Sequence, residues 1–402
     1  MKRRVVITGM GAVTPLGLDI PSFNQALKNG LSGISKISRF ETSCFPVKYA
    51  GEVKNFNAAS LKAHALDPFI QYALSATTQA LKQSEIDLSC LDPYRIGLSV
   101  SSSKGGLHTF NRLNERFKKK PSARLGAHLL MNLAPNFAAT RIARRWKING
   151  PSRCYIAACA TGTVAIAEGY RMVRDGEVDF CIAGASDASI VPFLLGGYQK
   201  MKVMAKEKMK PFEKTRDGFL IGEGAGIVVL ETLENARARK VKILAEIKGY
   251  QYGTDSQHPL HFSETDDVLS HTIKTSLENA DLTTKDIQYV NLHGTATLSG
   301  DLYETRQIKK AFVHQADQIP MSSTKSMTGH MLGASGAVEI IACALAMNDS
   351  FLPPTINMQQ PDGECDLDYV ANQSRKAKIE NAMTVSMGFG GHAVSLILGK
   401  AS

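Results

Sequence analysis

No two cysteines in this sequence stand close enough to clasp a metal. The seven, at positions 44, 90, 154, 159, 181, 343 and 365, are odd in number and scattered, and none falls in a CxxC or CxxH spacing. That argues against a disulfide framework or structural zinc and for free thiols in a reducing cytoplasm. Long apolar runs are missing too: no stretch approaches the ~18–20 residues of a membrane helix. The basic opening MKRRVVITGMGAVTPLG is broken by Gly9, Gly11 and Pro15, so it predicts a strand and a turn, not a signal peptide. There is no low-complexity segment and no period of ~20–50 residues that would mark a solenoid. No zinc finger, RNP signature or aromatic-interleaved basic stripe appears, which sets nucleic acid aside. Thr14 stands where a GxGxxG fingerprint needs its third glycine and no acidic ribose partner follows, so Gly9 and Gly11 predict a tight turn. No cofactor or metal motif is visible.

What is present is a 402-residue chain, 44% hydrophobic and 21% charged, with only 15 prolines. Those proportions belong to a globular protein with a large core, built as two domains or two similar halves. The formal net charge of +10 calls for an acidic protein or phosphate-bearing partner. Short apolar runs closed by small or polar residues, RRVVITGMG (3–11), RIGLSVSSS (95–103), DFCIAGASD (179–187), GIVVLE (226–231) and IQYVNLHG (287–294), predict buried strands. Helix-spaced stretches such as DPFIQYALSATTQALKQS (67–84) lie between them, so the class is α/β. Around 240–262 the pattern pauses in what reads as a polar loop, placing a boundary near residue 250 between a first half, 1–250, and a second, 251–402.

Four stretches carry candidate chemistry. In AACATGTVAIAEG (157–169) a lone thiol, Cys159, stands among small residues where a strand runs into a helix. Unpaired N–H groups and the positive end of a helix dipole would favour the thiolate there, although a free cysteine also serves as a small buried hydrophobe. His293 ends a strand in YVNLHGTATLSGD (289–301), and Lys325 and His330 share the loop SSTKSMTGHMLGASGAVE (322–339). Phe389 sits among Gly388, Gly390 and Gly391 as a packed anchor or a movable lid. One nucleophile and two histidines, all beside glycine-rich loops, form a set with chemical sense.

Together AACATG, RDGFLIGEGAG (216–226), HGTAT, KSMTGH and GFGG resemble, in order and approximate spacing over essentially the whole chain, the β-ketoacyl-acyl-carrier-protein synthases. The resemblance is strongest to the elongating type II condensing enzymes. It implies the thiolase fold, two similar α/β halves in five layers, and a homodimer. It makes Cys159 the nucleophile that takes an acyl chain as a thioester. His293 and His330 become the pair that promotes decarboxylation of malonyl-carrier and stabilises the enolate. Lys325 organises the site, with Glu339 and Asp301 as structural support. Thr295 and Thr297 contact the phosphopantetheine arm, which arrives on the substrate carrier, so no cofactor is expected. The N–H groups of Cys159 and Phe389 form the oxyanion hole, and Phe389 gates the acyl pocket. The partner implied is an acidic acyl carrier protein.

The sequence departs from the family in three places. Met387 replaces a common phenylalanine before the gating glycines, and Lys104 stands where an apolar residue usually lines the acyl pocket. Of the basic cluster often found near residue 60, only Lys62 and His64 remain, which shifts carrier docking to Lys200, Lys202, Lys206 and Lys208, with the run 116–120 as a rival patch. The same set of residues also fits the ketosynthase subunit of a type II polyketide or polyene system, working as a heterodimer with a chain-length partner. A non-catalytic subunit would lack the cysteine. A thiolase would use a second cysteine near the C-terminus in place of the histidine pair.

Overall fold

The computed structural model describes residues 3–401 except 60–62, 64, 121–128, 261, 264 and 266; Lys62 and His64 therefore lie outside the described residues. Ten strands form one sheet: β1 (Val5–Val13), β2 (Ile96–Ser101), β3 (Ser152–Arg153), β4 (Phe180–Asp187), β5 (Gly224–Thr232), β6 (Ala245–Thr254), β7 (Tyr289–Asn291), β8 (Met321–Ser322), β9 (Asn381–Gly388) and β10 (His392–Gly399). Their order is β8-β7-β9-β10-β6-β1-β5-β4-β2-β3. Each half repeats one plan. In the first, β3, β2 and β4 are parallel and β5 and β1 antiparallel to their neighbours; in the second, β8, β7 and β9 are parallel and β10 and β6 antiparallel. The halves meet where β1 pairs with β6 through Val5, Val6 and Ile7.

Helices complete five layers. Seven matter here: α1 (Pro68–Gln83), α2 (Phe137–Trp146), α3 (Thr161–Arg174), α4 (Pro192–Lys200), α5 (Val268–Asn279), α6 (Leu298–Phe312) and α7 (Ser335–Asp349). The α1 and α2 helices cover one outer face with Phe69, Ile70, Ala138 and Ile142, and α5 and α6 cover the other with Leu269, Ile273 and Ile308. Between the halves, α3 and α7 share a single core through residues such as Ile166, Val173, Val338 and Ile341. This is the thiolase fold, and the predicted helix over 67–84 is α1, with Asp67 as its N-cap.

Three expectations are corrected. Gly9 and Gly11 lie inside β1, not in a turn. A Cβ on either would meet the α1 carbonyls of Ala80 and Ala76 at 2.0 and 1.9 Å, so glycine lets the helix lie directly on the strand. The stretch read as a polar loop is largely β6, whose Glu246 carboxylate accepts from Arg4 at 2.7 and 2.6 Å and from Lys248 at 2.6 Å. One stretch, Leu332–Asp349, does reach membrane-span length and apolarity, at 18 residues and mean hydropathy 1.2. It is 89% buried in protein as the middle layer.

Candidate active site

Cys159 stands on a turn that alanine adopts reluctantly. After β3 the chain makes a short 3-10 turn over Ala158–Ala160 and enters α3. Ala158 takes φ 48°, a left-handed conformation that costs a residue with a Cβ roughly 1–2 kcal/mol. Thr161 holds it: its hydroxyl accepts from the Ala157 N–H at 3.0 Å and donates to the Ala158 carbonyl at 2.7 Å. The end of β9 presses on the same turn. A Cβ on Gly388 would lie 2.7 Å from the Ala157 oxygen and 3.0 Å from the Cys159 nitrogen, so only glycine brings Phe389 alongside the thiol. Among the described residues no acceptor takes the Phe389 N–H.

The second half supplies the histidines. His293 follows β7 on a loop tied down by α6. Glu304 accepts from the N–H groups of His293 at 2.6 Å and Gly294 at 2.8 Å, and Asp301, one helical turn earlier, accepts from Ala296 at 3.0 Å and Phe212 at 2.8 Å. The spacing of these two carboxylates puts both on the helix face toward the loop. His330 leaves the turn Lys325–Thr328, and its backbone is fixed to Leu220 and Gly222 at 2.7 and 2.8 Å. The two imidazoles meet edge to face, centroids 5.6 Å apart and planes at 88°. Behind them Lys325 pairs with Glu339 at 2.5 Å, both side chains almost wholly buried.

Burial, reinforced by Lys325, holds both histidines well below their usual pKa, so both are neutral. Ser335 lies 3.1 Å from His330 Nδ1; donating to it leaves the ring proton on Nε2. Among the described residues His293 Nδ1 is buried without a partner. A bare lone pair there costs less than a bare N–H, which again puts the proton on Nε2. Burial raises the Cys159 thiol to about 11 against the pull of Lys104 and Lys325. The helix-end expectation of a resting thiolate is thereby corrected: desolvation outweighs the favourable field.

Cys159, His293, His330, Thr295, Thr297 and Phe389 line one cavity of about 550 Å³. The Thr295 and Thr297 hydroxyls are 3.3 Å apart at its wall, and Met387, 3% exposed, also borders it. Met201 and Val203 line the same cavity and flank Lys202, which is exposed along with Lys200, Lys206 and Lys208. Lys104 is half-buried and sends its backbone N–H to Asp187 at 3.3 Å. The structure thus brings the expected nucleophile, histidines, lysine, threonines and gate together.

Sequence reasoning missed Asp187, Glu304 and Tyr198. Asp187 ends β4 fully buried and accepts from the Ser102 hydroxyl and Ser103 hydroxyl at 2.6 Å each, and from the Gly333 N–H at 2.7 Å, joining the 101–104 loop to the turn after His330. Tyr198, from α4, lines the cavity beside Cys159. A carboxylate closing an apolar strand was the available signal for Asp187, and the Asp-x-x-Glu spacing was that for Glu304.

Models of the β-ketoacyl synthase N-terminal and C-terminal domains match residues 2–236 and 244–359. The chain belongs to the β-ketoacyl synthase family. It is 38% identical over 407 residues to the 3-oxoacyl-[acyl-carrier-protein] synthase 2 of Staphylococcus aureus (strain N315), covering 99% of this chain and 98% of that one. It is 36% identical over 409 residues to the synthase of the same name from Synechocystis sp., with the same coverage. Among solved structures, the ishigamide ketosynthase/chain length factor superposes with TM-score 0.95 at 30% identity, both chains fully covered. A type II polyketide ketosynthase in complex with its acyl carrier protein, AntDE:AntF, superposes with TM-score 0.92 at 29% identity, again over both whole chains. Like its relatives, this synthase is a condensing acyltransferase.

Proposed function

We propose that this synthase extends carrier-bound acyl chains by decarboxylative Claisen condensation in fatty acid elongation, with Cys159 carrying the growing chain. The observation that carries the assignment is the buried triangle of one thiol and two neutral imidazoles opening on a single cavity. Cys159 Sγ attacks the acyl-carrier thioester; the C–S bond to the carrier breaks and the carrier thiol leaves with the cysteine proton. Malonyl-carrier then loses CO2, and the electron pair moves onto the thioester oxygen as an enolate facing the Nε2–H groups of His293 and His330. Such donors stabilise developing charge most where water is excluded. The enolate carbon attacks the acyl–Cys159 carbonyl, a C–C bond forms, the C–S bond breaks, and the departing thiolate takes a proton from water, the one proton the loss of CO2 from the malonyl carboxylate leaves to be supplied. The N–H groups of Cys159 and Phe389 receive the oxyanion in both acyl transfers. Lys325, held by Glu339, adds to the burial that keeps the imidazoles neutral, and Thr295 and Thr297 steady the phosphopantetheine arm.

The exposed Lys202 between two cavity-lining residues supports docking of an acidic carrier protein there, with Lys200 and Lys206 beside it; the basic end of the helix Leu107–Lys119 lies on another element. The open edge at β3, with exposed Ile156 and the touching pair Phe110 and Phe193, supports an interface with a second copy of this chain. All seven cysteines are free, which fits a reducing cytoplasm. A second reading, the ketosynthase half of a polyketide pair, is favoured by the likeness to the ishigamide ketosynthase/chain length factor.

Intact-protein mass spectrometry after acyl-carrier and then malonyl-carrier tests both. A mass shift on Cys159 followed by β-ketoacyl product from the chain alone supports elongation by a homodimer. Loading without elongation supports the paired subunit, and full activity in Cys159→Ala would refute the nucleophile.

A further inference from the structure

The cavity at Cys159 runs from a buried floor to a charged rim. Cys159, His293, Thr295 and His330 form the floor and are at most 9% exposed. From there the wall follows one face of α6, through Gly300 and Tyr303 to Arg306, at the three-residue spacing that keeps positions on one side of a helix. Arg306 is exposed and marks the outer end. Among the described residues that line the cavity it alone carries a permanent charge, since the thiol and both imidazoles are neutral. A guanidinium at the rim of an otherwise uncharged cavity favours a ligand with an anionic outer end. Its Nη2 donates to Glu364 Oε1 at 3.0 Å, but the two side chains are 51% and 64% exposed. An ion pair so exposed is weak, which leaves the guanidinium able to turn to a group that takes two of its N–H donors at once, as phosphate oxygens do.

The length of the wall fits one anion. A helix rises about 1.5 Å per residue, so Arg306 stands ~13 Å along α6 from its N-cap, Thr297. A phosphopantetheine arm has about thirteen bonds between sulfur and phosphorus and spans ~16 Å when extended. With its sulfur at Cys159, such an arm passes the two threonines and brings its phosphate within reach of the Arg306 side chain. We propose that Arg306 binds the phosphate of the phosphopantetheine arm and thereby makes this synthase prefer phosphorylated thioester arms over unphosphorylated ones. The proposal rests on the acyl-enzyme function given above.

Loading of Cys159 is followed by intact mass at graded concentrations of two carrier-free thioesters that differ in one group, octanoyl-pantetheine and octanoyl-phosphopantetheine. The native enzyme is expected to show a KM about tenfold lower for the phosphorylated arm, the scale of one charge-assisted bidentate contact. Arg306→Gln should raise that KM until the two arms load alike. Arg306→Lys, which keeps the charge without the planar fork, should restore part of the difference, and Glu364→Gln, which removes the competing carboxylate, should enlarge it. Equal KM values in the native enzyme, or a preference that survives Arg306→Gln, would overturn the phosphate contact and leave the acyl-enzyme function standing. No adduct on Cys159 from either thioester would overturn that function and the proposal with it.

Discussion

The Lys325–Glu339 pair is the most exposed point of the electrostatic account, because its partners are 1% and 3% exposed and joined at 2.5 Å. Glu339→Ala leaves the ammonium buried without a counter-charge. Breaking a buried pair this way costs about 3–5 kcal/mol. Among the described residues one Glu339 oxygen is engaged and the other has no partner, so the lower end, ~3 kcal/mol, is expected. Lys325→Met should cost a similar amount by stranding the carboxylate. The double substitution Lys325→Met/Glu339→Leu removes both charges from the middle layer and should be less damaging than either single change, since a buried pair replaced by packed apolar groups is often neutral. Urea unfolding of these variants and the native protein, with Glu339→Leu as the single change that closes the cycle, tests this. A Glu339→Ala loss below ~1 kcal/mol, or a double variant as unstable as the two singles summed, would refute the claim that desolvated charges dominate here. The double variant should still fail in condensation. With Lys325 gone burial still depresses both histidines, but their total shift is smaller, so residual activity should fall more steeply as pH drops than that of the native enzyme.

Further expectations follow from neighbouring features. Alkylation of Cys159 by iodoacetamide should quicken about tenfold per pH unit toward its pKa of about 11; a plateau below pH 8 would show that burial does not control the thiol. Burial raises Glu304 to about 8 and Asp301 to about 7. Their contribution to stability is therefore full below the unfolded carboxyl range and lost as pH climbs through 7 to 8. Glu304→Gln should flatten that decline in a melting series, while leaving one loop N–H facing an amide NH2 and so lowering kcat; an unchanged pH slope would count against it. Gly162→Ala would place a methyl 2.6 Å from the Ala337 nitrogen, prising α3 from α7, and should destabilise by about 1–3 kcal/mol in denaturant unfolding. Lys202→Glu should raise KM for carrier-bound acyl groups several-fold, with a smaller effect at high salt and none on a carrier-free thioester; an equal effect on both would remove Lys202 from the docking surface.

Buried strands were legible where apolar residues ran without interruption, as in Ile96–Ser101 and Gly224–Thr232, and α1 was legible from Asp67 onward. Legibility failed where a polar group is satisfied by something far away in the chain. Glu246 and Lys248 made β6 look like a loop, because the Glu246 carboxylate that Lys248 also contacts is held by Arg4, some two hundred and forty residues distant. Asp187 and Glu304 stayed hidden for the same reason: each exists to receive N–H groups of loops, and which N–H groups are left over is decided only once the sheets are assembled. The catalytic set itself was readable because its motifs are local, each a few residues of loop beside an element end. Its electrostatics were not. A helix end alone predicts a thiolate at Cys159, but the magnitude of burial decides against it, and burial is a property of the whole molecule. Lys104 joins the two cases: its cost could be read from its neighbours in sequence, whereas the groups that share that cost, Cys159, His330 and Asp187, come from three separate segments that meet only in the fold.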